Sequence, residues 1–133
     1  MRRRGFTLVE LAIVLAVAAV LASLALPSYQ GVVRKSRRAE VQAVLLEAAL
    51  RQERWRADHP EYATTAADIG AAGPQDRSAR YYRIEVVDST STTFKVRAEA
   101  VAGQGQEHDR QDGVMCSLLQ IDQSRVRSPV GCW

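Results

Sequence analysis

Residues 2–29 read RRRGFTLVELAIVLAVAAVLASLALPSY, and this stretch decides how the rest of the chain is partitioned. From Phe6 to Leu26 there are 21 residues with one charge, Glu10. At about 1.5 Å per residue, a helix of that length matches a hydrocarbon core of ~30 Å. The run therefore fits a membrane span and is set aside from any water-soluble core. Leu, Ala and Val dominate it and no glycine interrupts it. Pro27 is expected to end or kink it, because proline lacks an N–H and crowds the preceding turn. A secretory signal would be cut after the apolar region, beside small residues in an A-x-A-like pattern. This run reads instead as retained, with a helix free to resume after Tyr29.

Charge supports the same partition. The chain has 133 residues, is 47% hydrophobic and carries a formal charge of +3. Three of its 18 basic residues are Arg2, Arg3 and Arg4, and without residues 1–5 the other 15 are balanced by 15 acidic residues. The basic character belongs to a leader, so composition alone does not make the chain a nucleic-acid binder. The residues beyond the apolar run amount to one domain of roughly 100 residues. Orientation is left open by charge counting. Arg2–Arg4 favour a cytoplasmic N-terminus, yet Arg34, Lys35, Arg37 and Arg38 lie just past the other end of the run. That second cluster reads as a solvated helix face, with a lipid-headgroup or nucleic-acid patch as the alternative.

Glu10 needs its own account. A carboxylate inside a bilayer costs ~2.5–3.5 kcal/mol on insertion scales, so it persists where a partner exists. Near the interface it can snorkel to water or profit from the helix N-terminal dipole. A cut between Gly5 and Phe6 would supply a different partner, a new cationic amine one helical turn away.

Basic leader residues, then GFTLVE at residues 5–10, then a long apolar helix with Pro27, resemble the processing and assembly motif of type IV pilins. The resemblance covers residues 2–30. It implies that a membrane-embedded prepilin peptidase cuts between Gly5 and Phe6 and that Phe6 is then N-methylated. It also implies that Glu10 attracts the N-terminal amine of a neighbouring pilin subunit while helices pack into a fibre core. The division is then a leader at 1–5, a transmembrane and filament-core helix at 6–29, and a globular domain at 30–133. That domain is periplasmic while the chain sits in the inner membrane and extracellular once the assembly machinery has drawn it into a pilus. The physics of Glu10 stands apart from the family: an unpaired carboxylate among apolar helices is costly, and a correctly staggered amine offsets much of that cost and so fixes register.

Downstream, Gln30–Asp58 reads as a continuing helix rich in Ala, Leu, Glu, Arg and Gln. Val41, Leu45, Ala48 and Trp55, with Val44 alongside, form its core stripe. His59-Pro60 ends it. Residues 61–80 read as a connecting loop with one short turn around Thr65–Ile69. The period then changes to two. Tyr81–Asp88 and Thr93–Val101 read as strands joined by a turn at residues 89–92, and Val114–Ile121 as a third strand. Gly103–Gly113 reads as an exposed polar loop. The fold class is α+β, a long helix packed on an antiparallel sheet of about four strands, as the pilin resemblance also implies.

Cys116 and Cys132 lie beyond a spanning segment that places them in an oxidising compartment, where a bridge is expected to pin the C-terminal segment. Trp133 is expected to pack at a sheet edge. By resemblance, residues 116–132 form a surface-facing, disulfide-bounded region used in contacts.

Other chemistry is not found. His59 and His108 lack zinc-ligand spacing, and Glu107, Asp109 and Asp112 read as a solvated loop, not a calcium site. Gly103-Gln104-Gly105 is no phosphate loop, and no nucleophile has an assignable base. No cofactor, metal or enzymatic activity is expected.

Residues 48–64, with the late cysteine pair, resemble minor pilins of the PilE kind, whose fibres serve adhesion, twitching motility and DNA uptake. Two alternatives stand beside that reading. A DNA-receptor pilin would need a basic stripe, for which Arg77, Arg80, Arg83, Arg97, Arg110, Arg125 and Arg127 are candidates, although acidic residues intersperse them. A type II secretion pseudopilin shares the N-terminal motif, but major pseudopilins usually carry a calcium-bound C-terminal loop where this chain has two cysteines.

Overall fold

The computed structural model describes residues 6–71 and 77–133. The chain divides into two compact units, one running through Val33 and one from Arg34 to Trp133. Gly5 of the expected cleavage site lies outside the described residues, as do Gly73 and Pro74 of the connecting loop.

A single helix, α1 (Leu8–Asp58), supplies residues to both units. Its start is set by a reciprocal cap. The Glu10 N–H donates to Thr7 Oγ1 at 3.2 Å, and the Thr7 N–H reaches Glu10 Oε2 at 3.5 Å. This is the T-x-x-E capping box, which satisfies two N–H groups that the first turn would otherwise orphan. The helix runs on through Pro27, which therefore does not end it. Proline removes the N–H that would bond the Ser23 carbonyl, and Ser23 Oγ itself donates to the Val20 carbonyl at 2.7 Å. At its far end, the His59 ring bonds the Trp55 carbonyl at 2.9 Å and stacks on the Trp55 indole with centroids 3.8 Å apart.

In the second unit, α1 buries Arg38, Val41, Leu45, Ala48, Ala49 and Gln52, a stripe at helical spacing. Val44 and Trp55 are half-buried beside it. The connecting loop contributes to the same core through Tyr62, Ala63, Ala66 and Ile69. Its short turn is closed by Thr65 and Asp68, whose side chains and N–H groups bond each other reciprocally at 3.2 Å.

The main sheet is antiparallel, with spatial order β1 (Tyr82–Val87), β2 (Lys95–Ala100), β5 (Leu118–Asp122), β6 (Arg127–Ser128). Register aligns the apolar side chains into rows: Ile84 faces Ala98 and Ala98 faces Leu119, while Val86 faces Val96 and Val96 faces Ile121. These residues and the α1 stripe form one hydrophobic cluster, so the helix packs on this face. The charged residues alternate onto the other face, where Glu85 opposes Arg97.

Two expectations are corrected. The segment read as one strand from Val114 to Ile121 is two. Val114–Met115 (β4) pairs with Arg110–Gln111 (β3) in a separate hairpin, and only the part from Leu118 onward joins the main sheet. The break falls at Cys116, which is fully buried in the core. The segment read as an exposed loop from Gly103 to Gly113 is also partly interior: a short 3-10 turn (Gln106–His108) carries a fully buried Gln106, and Asp109 is 3% exposed. Both residues face inward because they answer polar groups of α1, which the periodicity of a loop does not reveal.

Candidate functional site: the apolar helix start and the arginine surfaces

Between Leu8 and Leu26 every large apolar side chain is at least 55% exposed, on all sides of the helix. An exposed apolar surface of this length requires a lipid or protein environment, and this is the one helix among the described residues long and apolar enough to cross a membrane. Phe6 is 87% exposed just ahead of it. Glu10 lies in the first turn, exposed, with one carboxylate oxygen engaged by its own cap. Its other oxygen takes no hydrogen bond among the described residues and is free for a second donor. The T-x-x-E spacing carries the signal for this capping role, which dipole and snorkelling arguments alone do not reveal.

In the second unit the two cysteines are joined, with Cα atoms 5.6 Å apart and both residues buried. The bridge ties the segment after β4 to the C-terminal 3-10 turn (Val130–Cys132). The Cys132 carbonyl accepts from Gln42 Nε2 at 2.6 Å, so α1 also holds this end of the chain. Trp133 is half-buried beside edge strand β6, its indole N–H donating to the Ser128 carbonyl at 3.1 Å.

A buried polar network lies between α1 and the segment before β3. Arg38 Nη1 donates to Asp109 Oδ2 at 3.0 Å, and Arg38 Nη2 donates to Gln111 Oε1. Gln106 Nε2 donates to the Arg34 carbonyl at 3.0 Å and to the Tyr82 hydroxyl at 2.9 Å. Burial pushes the Asp109 carboxyl above its ordinary value, against the pull of Arg38 and Arg34. Burial likewise pushes the Tyr82 phenol up to about 12, so it stays neutral. Two readings are corrected here. Arg38 is not part of a solvated helix face, and Asp109 is not part of a solvated loop.

The seven candidate arginines sit on separate elements. Arg77 and Arg80 bound a 3-10 turn. Arg83 is exposed on β1 opposite Glu99, and Arg97 is ion-paired with Glu85 at 2.7 Å. Arg110 is exposed on β3. Arg125 is exposed in a left-handed turn (φ 59°), and Arg127 lies with its guanidinium carbon 5.4 Å from the Trp133 ring centroid. A basic pair that reaches outside that set is more tightly organised. Arg37 stacks on the Tyr81 ring at 3.7 Å, and Arg80 approaches the same ring at 5.7 Å.

The glycine-flanked segment before His108 makes its own anion contact. The Gly103 N–H donates to Glu107 Oε1 at 3.0 Å, and backbone N–H groups at Glu107 and Gly103 hold that carboxyl below its usual range. Among the described residues no group of three or more metal-ligating side chains assembles. A groove of about 240 Å³ between Leu46, Leu50, Phe94, Ile121 and Arg127 is mainly apolar and brings no nucleophile to a base.

Comparison with known proteins converges on one family. The model described as "Type IV minor pilin ComP, DNA uptake sequence receptor" matches residues 27–120, and that of the prokaryotic N-terminal methylation motif matches residues 1–26. The chain belongs to the type IV pilins. Among relatives, it is 34% identical over 84 residues to the type IV major pilin protein PilA of Myxococcus xanthus, covering 62% of this chain and 37% of that protein. It is 31% identical over 93 residues to a fimbrial protein of Neisseria meningitidis, covering 68% and 54%. The matched stretch thus spans about half or less of these pilins. A type IV pilin structure from Shewanella oneidensis superimposes with a TM-score of 0.52 at 23% identity, covering 75% of this chain and 97% of that one. It shows the shared pilin fold.

Proposed function

We propose that this pilin is a minor structural subunit of a type IV pilus, cut between Gly5 and Phe6 by a prepilin peptidase, N-methylated at Phe6, and assembled through its apolar helix. It acts by packing, not by catalysis. The observation that carries the reading is the start of α1: a helix apolar on all sides, with one carboxylate in its first turn whose second oxygen awaits a donor. A new amine at Phe6 of a neighbouring subunit is that donor, and pairing fixes the axial register of the packed helices. The globular domain faces the periplasm before assembly and the exterior afterwards.

The capping box allows a discriminating test. Glu10→Gln keeps a side chain able to accept from the Thr7 N–H but removes the charge, whereas Glu10→Ala removes both. Immunoblots of sheared fibres are expected to lose the subunit in both variants while membrane fractions retain it. Incorporation of E10Q at the level of the parent chain would refute the charge-pairing mechanism. A mature chain whose mass includes residues 1–5 would refute the processing step.

A second reading, a receptor for DNA, is favoured by the ComP family match over residues 27–120. Its test is duplex DNA binding by the detergent-solubilised chain across a salt series, because phosphate contacts release counterions and weaken steeply with salt. No binding at low salt ends that reading.

A further inference from the structure

Two features within the unit from Arg34 to Trp133 have no role so far, an apolar groove and an apolar knob. The groove, about 240 Å³, runs beside α1. There Leu46 and Leu50, 40% and 43% exposed, lie one helical turn apart over a floor that includes Phe94 and Ile121. Its acids are engaged inside the unit: Glu53 accepts from the Tyr62 hydroxyl at 3.2 Å, and Asp122 Oδ1 from the Ser124 and Val126 N–H groups at 2.9 Å. Its arginines, Arg125 and Arg127 at the β5–β6 turn, have no carboxylate partner among the described residues. The groove therefore sets apolar surface beside guanidinium N–H groups left to donate.

The knob is the β3–β4 hairpin with the C-terminal turn against it. Asp112 and Gly113, both left-handed at φ 50° and 83°, form its tip. Val114, Met115 and Val130 are 37%, 41% and 83% exposed. A Cβ on Gly131 would lie 3.2 Å from Val114 Cγ2, so the hairpin and the turn are in contact. The Cys116–Cys132 bridge ties them together, while Arg38 and Gln42 of α1 donate to Gln111 and to the Cys132 carbonyl. A projection fixed in this way gives up little conformational entropy on docking. Asp112 is exposed and makes no hydrogen bond or ion pair among the described residues. Knob and groove are thus complementary, apolar to apolar and carboxylate to arginine. On α1 the knob is held at Arg38 and Gln42, whereas the groove lies along Leu46–Glu53. The two attachments are centred about ten residues, or ~15 Å, apart along the helix. A contact between two different patches of one chain is heterologous, and with parallel helices this offset adds a rise at each step, so the series stays open. We propose that the Asp112–Val114 hairpin tip and Val130 of one copy dock in the Leu46–Leu50 groove of a second copy, with Asp112 facing Arg125 and Arg127. The proposal rests on the fibre reading of this pilin and names the surfaces of the globular domain through which copies follow one another.

Cross-linking of the full chain in detergent tests the contact, because both native cysteines are in the bridge and any added thiol is free. Leu50→Cys and Val130→Cys, both at exposed positions, are made on separate chains, mixed and treated with a short bis-maleimide. The mixture is expected to give a covalent dimer at roughly fivefold or more the yield of either variant alone, an excess on the scale of about 1 kcal/mol. L50C/V130C on one chain is expected to give a ladder beyond the dimer. D112N, which suits the left-handed tip, lowers the yield about two- to fivefold at low salt, the range of an exposed ion pair. R125N/R127Q lowers it comparably, and combining the two sets adds no further loss. No excess dimer in the mixture overturns the contact. Equal self-coupling of L50C overturns it too, since groove then faces groove, as does preferential coupling of L50C to V17C, since the groove then seats another chain's apolar helix. An undiminished yield in D112N, or losses that add, overturns the pairing of Asp112 with the arginines. A ladder in detergent with no subunit in sheared fibres would refute the pilus reading and leave the contact standing; subunit in the fibres without the L50C–V130C product would do the reverse.

Discussion

Arg38 and Asp109 have side chains only 4% exposed, so both charges have left water for each other. Burial on this scale costs several kcal/mol per ion and is recovered only with full pairing, which Gln111 completes on Arg38 and Gln106, at 3.3 Å, on Asp109. Removing one partner exposes the imbalance. Arg38→Met, which fills the volume without the charge, is expected to destabilise the chain by ~3–5 kcal/mol at neutral pH, measured by urea unfolding. The pH dependence carries a definite sign. Burial already holds the Asp109 carboxyl above its ordinary value, and losing Arg38 raises it further. An acid whose folded pKa exceeds its unfolded one takes up a proton first in the folded state, so stability rises as pH falls through the folded value. The R38M deficit should therefore narrow from neutral toward acid pH. A deficit that stays constant across that range would mean that Asp109 is not its source.

α1 shows, at the scale of an element, which parts of the fold are legible in the sequence. Its second-unit stripe is set by apolar spacing, and neighbouring leucines test the assignment. Leu45 is fully buried and Leu46 is 40% exposed. Leu45→Ala is expected to cost ~2–5 kcal/mol and Leu46→Ala about 0.5 kcal/mol in paired urea melts; equal costs would mean the helix is rotated from the face described. Strands β1 and β2 were equally readable, because their apolar residues alternate and a Ser/Thr turn separates them. Arg38, Gln52, Gln106 and Asp109 were not. Each is a polar residue whose burial is decided by a distant partner: Arg38 and Asp109 are 71 positions apart, and Gln52 bonds both the N–H and the carbonyl of Ala63 at 2.9 Å. Hydrophobic periodicity carries no information about such pairs. The split of the third strand has a related cause, since Val114–Ile121 is largely apolar around Cys116 and only pairing shows that it serves two sheets. The bridge itself spans a sequence separation of 16. Replacing both cysteines by serine is expected to lower stability by roughly 3 kcal/mol, read as a fall in melting temperature that reduction of the parent chain reproduces; an unchanged melt would mean the C-terminal turn is held by Gln42 and Trp133 alone.

At the scale of the whole molecule, every residue of the hydrophobic core cluster lies at or beyond Val41, and Arg38, the first buried residue among those described, lies three positions before it. The unit from Arg34 to Trp133 thus contains its own core, sheet, bridge and ion-pair network, which is what an independently folding domain requires. The apolar run to Leu26 contributes none of the buried residues, consistent with a segment whose partners are lipid or other helices. A chain beginning at Arg34 and secreted into an oxidising compartment is therefore expected to be soluble and to unfold in a single cooperative transition. A chain beginning at Val44 keeps the later half of the buried α1 stripe but loses Arg38, Val41 and Gln42. Asp109 is then buried without its cation and the Cys132 carbonyl loses its donor, so this version should melt far lower or fail to fold. Circular dichroism melts of the two fragments decide between outcomes. Equal stability would place the fold's closure entirely in the sheet and its loops, whereas a cooperative melt only in the longer fragment locates it where α1 meets Asp109 and the bridged C-terminus.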